Sequence, residues 1–253
     1  MIGGASGLDF EVIDISRSQG NHIELAPGVF GSTIAHSPTG ILSLLKVGRF
    51  HEPLHYYREC ISLQVLSGEV GVGRRPSGAS AEWETPITCG PGSLVIIPPG
   101  VPVEVFIEGE FLRFATPLPN ADGPIWLDGP NAQVDTEVPR RAHEAQFVDV
   151  TLQLSGLQRT VTGLKFMPLF RSHSGGVALG RIDKTTSGSH EGERRMLSIF
   201  RGSAIAKIGR TTTPLAGGQV AIFPEGLKYT IERIDEPLEF VMFSSRTHSA
   251  GHQ

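Results

Sequence analysis

Nowhere in this chain do apolar residues recur at helical spacing. They come in short stretches of Val, Ile, Leu and Phe closed off by Gly, Pro, Asn or Asp: 41–47, 61–66, 93–97, 103–107, 197–200, 220–223 and 240–243. Runs of this length and composition read as β-strands. A turn signal about every 8 to 12 residues predicts an antiparallel sandwich or barrel instead of alternating strands and helices, with helix below about a tenth of the chain. Gly (31) and Pro (18) together supply 49 of 253 residues, so the chain turns often.

The turn chemistry repeats. In the first half Leu63-Gln64-Val65-Leu66-Ser67-Gly68 is followed by Gly90-Pro91-Gly92, an apolar run and Pro98-Pro99-Gly100. In the second half Leu197-Ser198-Ile199-Phe200-Arg201-Gly202 is followed by Gly217-Gly218, an apolar run and Pro224-Glu225-Gly226. The same order twice marks an internal duplication. Between the copies, Pro117, Pro119, Pro124, Pro130 and Pro139 exclude a continuous central strand or helix. The expected organisation is an N-terminal barrel over 1–116, a Pro-rich linker over 117–145 pinned by Trp126, and a C-terminal barrel over 146–253.

At the two G-x5-P-x-G corners, Gly92–Gly100 and Gly218–Gly226, and at the turns ending in Gly68 and Gly202, the sequence resembles the cupin superfamily. The resemblance implies an all-β fold of two cupin-type antiparallel β-barrels, a bicupin. It also implies a metal held by H-x-H-x3-E-x6-G and by a histidine three residues past the second corner glycine. Counted from Gly68 and Gly100, those four positions hold His55, Tyr57, Ile61 and Val103; counted from Gly202 and Gly226, they hold Ser189, Glu191, Arg195 and Tyr229. A spacer one residue longer would bring His190 to the second histidine position, although His173 and His190 otherwise read as surface residues of Ser/Gly-rich turns. The metal motif is degenerate in both halves, so no cofactor is expected. One alternative metal site remains, with His51, His55 and Glu59 on one face of a strand that bulges near Pro53.

In the second half, strand alternation puts Glu191, Glu193, Arg195 and Leu197 on one face, with Tyr229 entering from a partner strand. An inward guanidinium beside inward carboxylates is either a plain ion pair or a pocket. As a pocket, Arg195 orients a carbonyl or carboxylate ligand, Glu191 or Glu193 moves a proton, and Tyr229 acts as acid or donor. His55, Tyr57 and Glu59 are the substrate-binding candidates of the first half. Cys60 and Cys89 read as packed thiols.

The leading expectation is therefore an enzyme using metal-independent acid/base chemistry on a small polar carbonyl or carboxylate metabolite: an isomerase, epimerase, cyclase or lyase. The alternatives are a non-catalytic ligand-binding bicupin and a metal-dependent dioxygenase or decarboxylase using His51, His55 and Glu59. A net charge of −4 without a basic cluster argues against nucleic acid, and no apolar run is long enough for a membrane helix. Two cysteines and the lack of a leader-like start fit a cytoplasmic protein. Covering the sheet edges calls for a homodimer.

Overall fold

The computed structural model describes residues 10–20, 22–74, 86–117, 124–126, 145–155, 157, 160–161 and 163–246. Most of the expected linker, 118–123 and 127–144, lies outside these residues, as do His248 and His252 of the tail. Among the described residues, helix is confined to the 3-10 segment Ile15–Gly20 and the short helix Val150–Ser155; the remainder of the regular structure is antiparallel strand. The all-β expectation holds. No helix among the described residues is long and apolar enough to cross a membrane.

Contacts divide the chain into two compact units. The N-terminal unit takes residues 22–34 and 41–151, and the C-terminal unit takes 1–21, 35–40 and 152–253. In the N-terminal unit the sheet runs, in order, through Gln146–Asp149, Ser93–Ile97, Cys60–Arg74, Val103–Thr116, Gly40–Tyr56, Val29–Ser37 and Ile23–Ala26. The short strand Ile125–Trp126 pairs with its neighbour through His55 and Tyr56. Its core is built on Val65, Val72, Val95, Val105 and Phe111. The C-terminal unit has one sheet ordered Glu11–Asp14, Gln219–Phe223, Glu193–Arg201, Leu238–Arg246, Gly175–Ile182, Leu164–Arg171, Thr160–Val161. A second sheet of this unit is ordered Thr185–Gly188, Tyr229–Arg233, Ser203–Ile208, Thr211–Ala216. Leu197, Ile199, Phe223, Ile231 and Phe240 fill the space enclosed.

The two repeats are alike down to single hydrogen bonds. Gly92 N–H donates to Val65 O (3.3 Å) and Gly218 N–H to Ile199 O (2.8 Å); Gly100 N–H donates to Tyr57 O (2.8 Å) and Gly226 N–H to His190 O (2.9 Å). Gly68 and Gly202 both turn the chain at positive φ, 78° and 84°. A Cβ there would lie 1.9 Å from Glu108 O and 2.0 Å from Pro237 O, so only glycine lets the neighbouring strand pass this close.

The expected boundaries differ from the structure at two strands. Glu11–Asp14, expected within the first barrel, pairs with Gln219–Phe223 of the C-terminal unit. Gln146–Asp149, expected to open the second barrel, pairs with Ser93–Ile97 of the N-terminal unit. Each is followed by a short helical segment whose first N–H reaches the equivalent glycine carbonyl: Ile15 N to Gly218 O and Val150 N to Gly92 O, both 3.1 Å. Strand propensity is local, but the choice of partner is not, which is why the exchange is invisible in the sequence pattern.

Candidate active site

Strand Glu193–Arg201 enters the C-terminal unit with Arg195 opposite Phe223 on one side and Ser244 on the other. Two residues further in, Leu197 and then Ile199 belong to the apolar core. Alternation therefore aims Arg195 and Glu193 along the same inner face, at the end that the core leaves open. Arg195 Nε and Nη2 both donate to one oxygen of Glu193, Oε2, at 3.4 and 3.1 Å. About a quarter of each side chain stays accessible, 22% for Arg195 and 26% for Glu193.

Arg195 stands between two spaces. A void of about 20 Å³ on its inner side is bounded by Arg195, Tyr229, Leu197, Phe223, Phe240 and Met242. A cavity of about 210 Å³ on its outer side is bounded by Arg195, Glu193, Ser244, Phe166, Phe170 and Met242 among others. Room for the larger cavity comes from strand Gly175–Ile182, whose Gly176 and Ala178 lie opposite Ser244 and Met242 and contribute almost no side chain.

Tyr229 opens its strand opposite Gly188, and its hydroxyl lies 2.5 Å from His190 Nε2. Burial, aided by the Arg195 cation, lowers the His190 pKa from 6.5 to about 4. Burial raises Tyr229 above the ordinary phenol value, an effect Arg195 partly opposes. Near neutral pH the pair is thus an uncharged imidazole against a protonated phenol. Pairing of Gly188 with Tyr229, and of His55 with Val103, shows which positions correspond in the two repeats. The four motif positions of the C-terminal unit are therefore Gly188, His190, Arg195 and Tyr229. Counting without the extra spacer residue had put Ser189 and Glu191 there. Glu191 instead lies exposed in the turn ahead of the strand, and His190 is an inner residue, not a surface one. The longer spacer was the signal that could have found it. His173 is exposed, as expected.

In the N-terminal unit, register shifts between Val47 and Phe50 and between Glu52 and His55 reverse the expected parity of strand Gly40–Tyr56. Glu52, opposite Val105 of the core, now points inward and His51 outward. His51 Nε2 sits 2.7 Å from Glu104 Oε1 and its ring stacks on Phe106 at 4.3 Å. The inner group is Tyr57, donating to Glu52 Oε2 at 2.5 Å, and buried His55, whose Nδ1 donates to Pro53 O at 2.6 Å while Nε2 stands 3.5 Å from the same Glu52 oxygen. Buried Glu59 lies 4.0 Å from Arg113 and its pKa is raised by burial. Tyr57 is raised as well, by burial and then by Glu52. His55, Tyr57 and Glu59 do come together, joined by Glu52 and Arg113, which the period-2 reading missed. His51 does not join them. Cys60 is a packed thiol whose pKa burial pushes up.

The residues present do not fit the metal that the fold implies. The C-terminal positions offer one imidazole, one phenol and a guanidinium, and Arg195 would place a permanent cation where a dication must sit. The N-terminal alternative of His51, His55 and Glu59 is split between two faces of the strand. Among the described residues, no three His, Cys, Asp or Glu side chains are grouped to hold a metal.

No protein-family model and no curated protein matches this sequence. Solved structures do. A cupin 2 conserved barrel domain protein from Leptotrichia buccalis superimposes with a TM-score of 0.64 at 9% identity, covering 93% of this chain and 96% of that one. A mutant of oxalate decarboxylase from Bacillus subtilis superimposes with a TM-score of 0.58 at 15% identity, covering 94% of this chain and 78% of that one. At such identities the likeness concerns the backbone alone, and it shows that this chain has the all-β, antiparallel fold of the cupin type.

Proposed function

We propose that this chain is a bicupin enzyme whose C-terminal unit moves a proton on a small carbonyl- or carboxylate-bearing metabolite without a metal. The observation that carries the reading is Arg195, set between an open cavity and the His190–Tyr229 pair. A ligand oxygen on Arg195 would acidify the neighbouring C–H or O–H. That proton would pass to Tyr229 Oη while the phenol proton crosses the 2.5 Å Oη–Nε2 hydrogen bond to His190. Arg195 would stabilise the negative charge left on the ligand oxygen. The resulting imidazolium, disfavoured by burial and by Arg195, would return its proton through Tyr229 to another ligand atom, completing an isomerisation or setting up an elimination. Glu193 holds the Arg195 fork in place, and Glu191 has no part.

Incubation of the purified chain in D2O with a panel of 2-oxo, 2-hydroxy and unsaturated acids tests this. Deuterium should enter at least one compound, should fail to enter with Tyr229→Phe or His190→Ala, and should be indifferent to chelators. Exchange that vanishes with a chelator and returns with a metal would overturn it. Elemental analysis should find well under one equivalent of transition metal. A homodimer in the cytoplasm completes the proposal, and light scattering checks the first of these.

A further inference from the structure

We propose that the ligand of the C-terminal cavity is a small monocarboxylic acid with an apolar, preferably planar body, its carboxylate on Arg195 and its body against Phe166, Phe170 and Met242. This rests on the reading above and narrows its substrate class. At about 210 Å³ the cavity is smaller than the roughly 300 Å³ at which sites for drug-sized molecules begin, which suits a small acid. Its wall is unlike that of a sugar site. Phe166, Pro168, Phe170, Val177 and Met242 line it, and its hydrogen-bonding side chains are Arg171, Ser172, Glu193, Arg195 and Ser244, with Arg171, Ser244 and Arg195 on one row across the sheet. A polyol would strand its hydroxyls against the rings. A body that is apolar except for an anionic end suits the apolar wall and brings the counter-charge that the guanidinium row lacks.

The guanidinium is prepared for that end. Both of its bonds go to one oxygen of Glu193, from Nε and Nη2, and no hydrogen bond engages Nη1 among the described residues. Nη1 and Nη2 therefore still offer protons to a bidentate carboxylate. Behind the guanidinium, the void of about 20 Å³ beside Tyr229 has room for one water-sized group, enough for a carbonyl or hydroxyl oxygen and too small for a ring. The body must then stay on the cavity side. Glu193 competes with the ligand for the same fork, so it weakens binding while it positions Arg195.

Calorimetry on the full-length chain tests the assignment with phenylacetate as the probe, and phenylacetamide, glucose and oxalate as comparisons. Phenylacetate should bind more tightly than the other three. Arg195→Gln should weaken phenylacetate by at least about tenfold, the loss of a charge-assisted pair. Glu193→Gln should tighten it several-fold, a gain that a misfolded variant cannot produce. Glu191→Gln, at an exposed position in the turn ahead of the strand, should leave binding within about twofold. Phenylacetamide or glucose binding as well as phenylacetate, or phenylacetate binding untouched by Arg195→Gln, would overturn the assignment. The two readings fail separately: deuterium exchange into polar acids without phenylacetate binding sinks this one alone, and Arg195-dependent phenylacetate binding by a chain that exchanges no deuterium sinks only the enzymatic one.

Discussion

Acidification from pH 7 to pH 5 should destabilise the chain through His190. In the folded protein this imidazole takes up a proton only at about 4, against 6.5 for an unperturbed histidine, because its ring is partly buried and faces the Arg195 cation. Above pH 6.5 neither folded nor unfolded chains carry the proton, and the group contributes no pH dependence. Below it the unfolded chain binds a proton that the folded chain refuses, so stability is lost as the pH falls toward the folded value. The difference between 6.5 and about 4 corresponds to at most about 3 kcal/mol at 1.36 kcal/mol per pKa unit. Between pH 7 and 5 the loss should be about 1 to 2 kcal/mol once solvent screening of the accessible part of the ring is allowed for. Urea denaturation at the two pH values, in the parent and in His190→Gln, isolates this share from that of the other eight histidines. The pH-dependent loss should be smaller in the variant by that amount. The His190 Cε1–H resonance, assigned by its disappearance in the same variant, should titrate well below pH 6, and Arg195→Gln should move its midpoint upward. A midpoint at or above 6.5 in the parent, or identical pH dependence in parent and variant, would refute the placement of His190 beside Arg195.

Four further outcomes follow from packing and burial. Gly202→Ala should cost more than about 3 kcal/mol in urea denaturation, because its Cβ would lie 2.0 Å from Pro237 O at a φ of 84°. Gly218→Ala, with the same φ and nothing within 4 Å, should cost only about 1 kcal/mol. Phe111→Ala empties a fully buried site in the N-terminal core and should lower stability by about 3 to 5 kcal/mol. Glu59 has a raised pKa in the fold, so its favourable share is present below the unfolded value of 4.5 and is lost as the pH climbs through that value and beyond. Glu59→Gln should therefore melt above the parent at pH 7 by an amount that shrinks as the pH is lowered to about 4, which scanning calorimetry reads directly.

The all-β fold and the duplication could be read from the chain because both rest on local chemistry. A left-handed turn needs its glycine at a fixed place, as at Gly68 and Gly202, and a strand that enters a core alternates from the turn backwards. Counting back from Gly202 therefore reached Arg195 and Glu193 on the inner face, and counting forward from Gly226 reached Tyr229. Alternation survives only while the ladder is unbroken. Two register shifts in Gly40–Tyr56 exchange the sides of His51 and Glu52, and one extra residue ahead of Arg195 hides His190 from the motif count. A bulge inserts a residue that has no partner across the ladder and so shifts the parity of everything beyond it, which a strict period-2 count does not register. The destinations of Glu11–Asp14 and Gln146–Asp149 were likewise decided in three dimensions. Their alternation fits any open sheet edge, and only the packed units determine which edge is within reach.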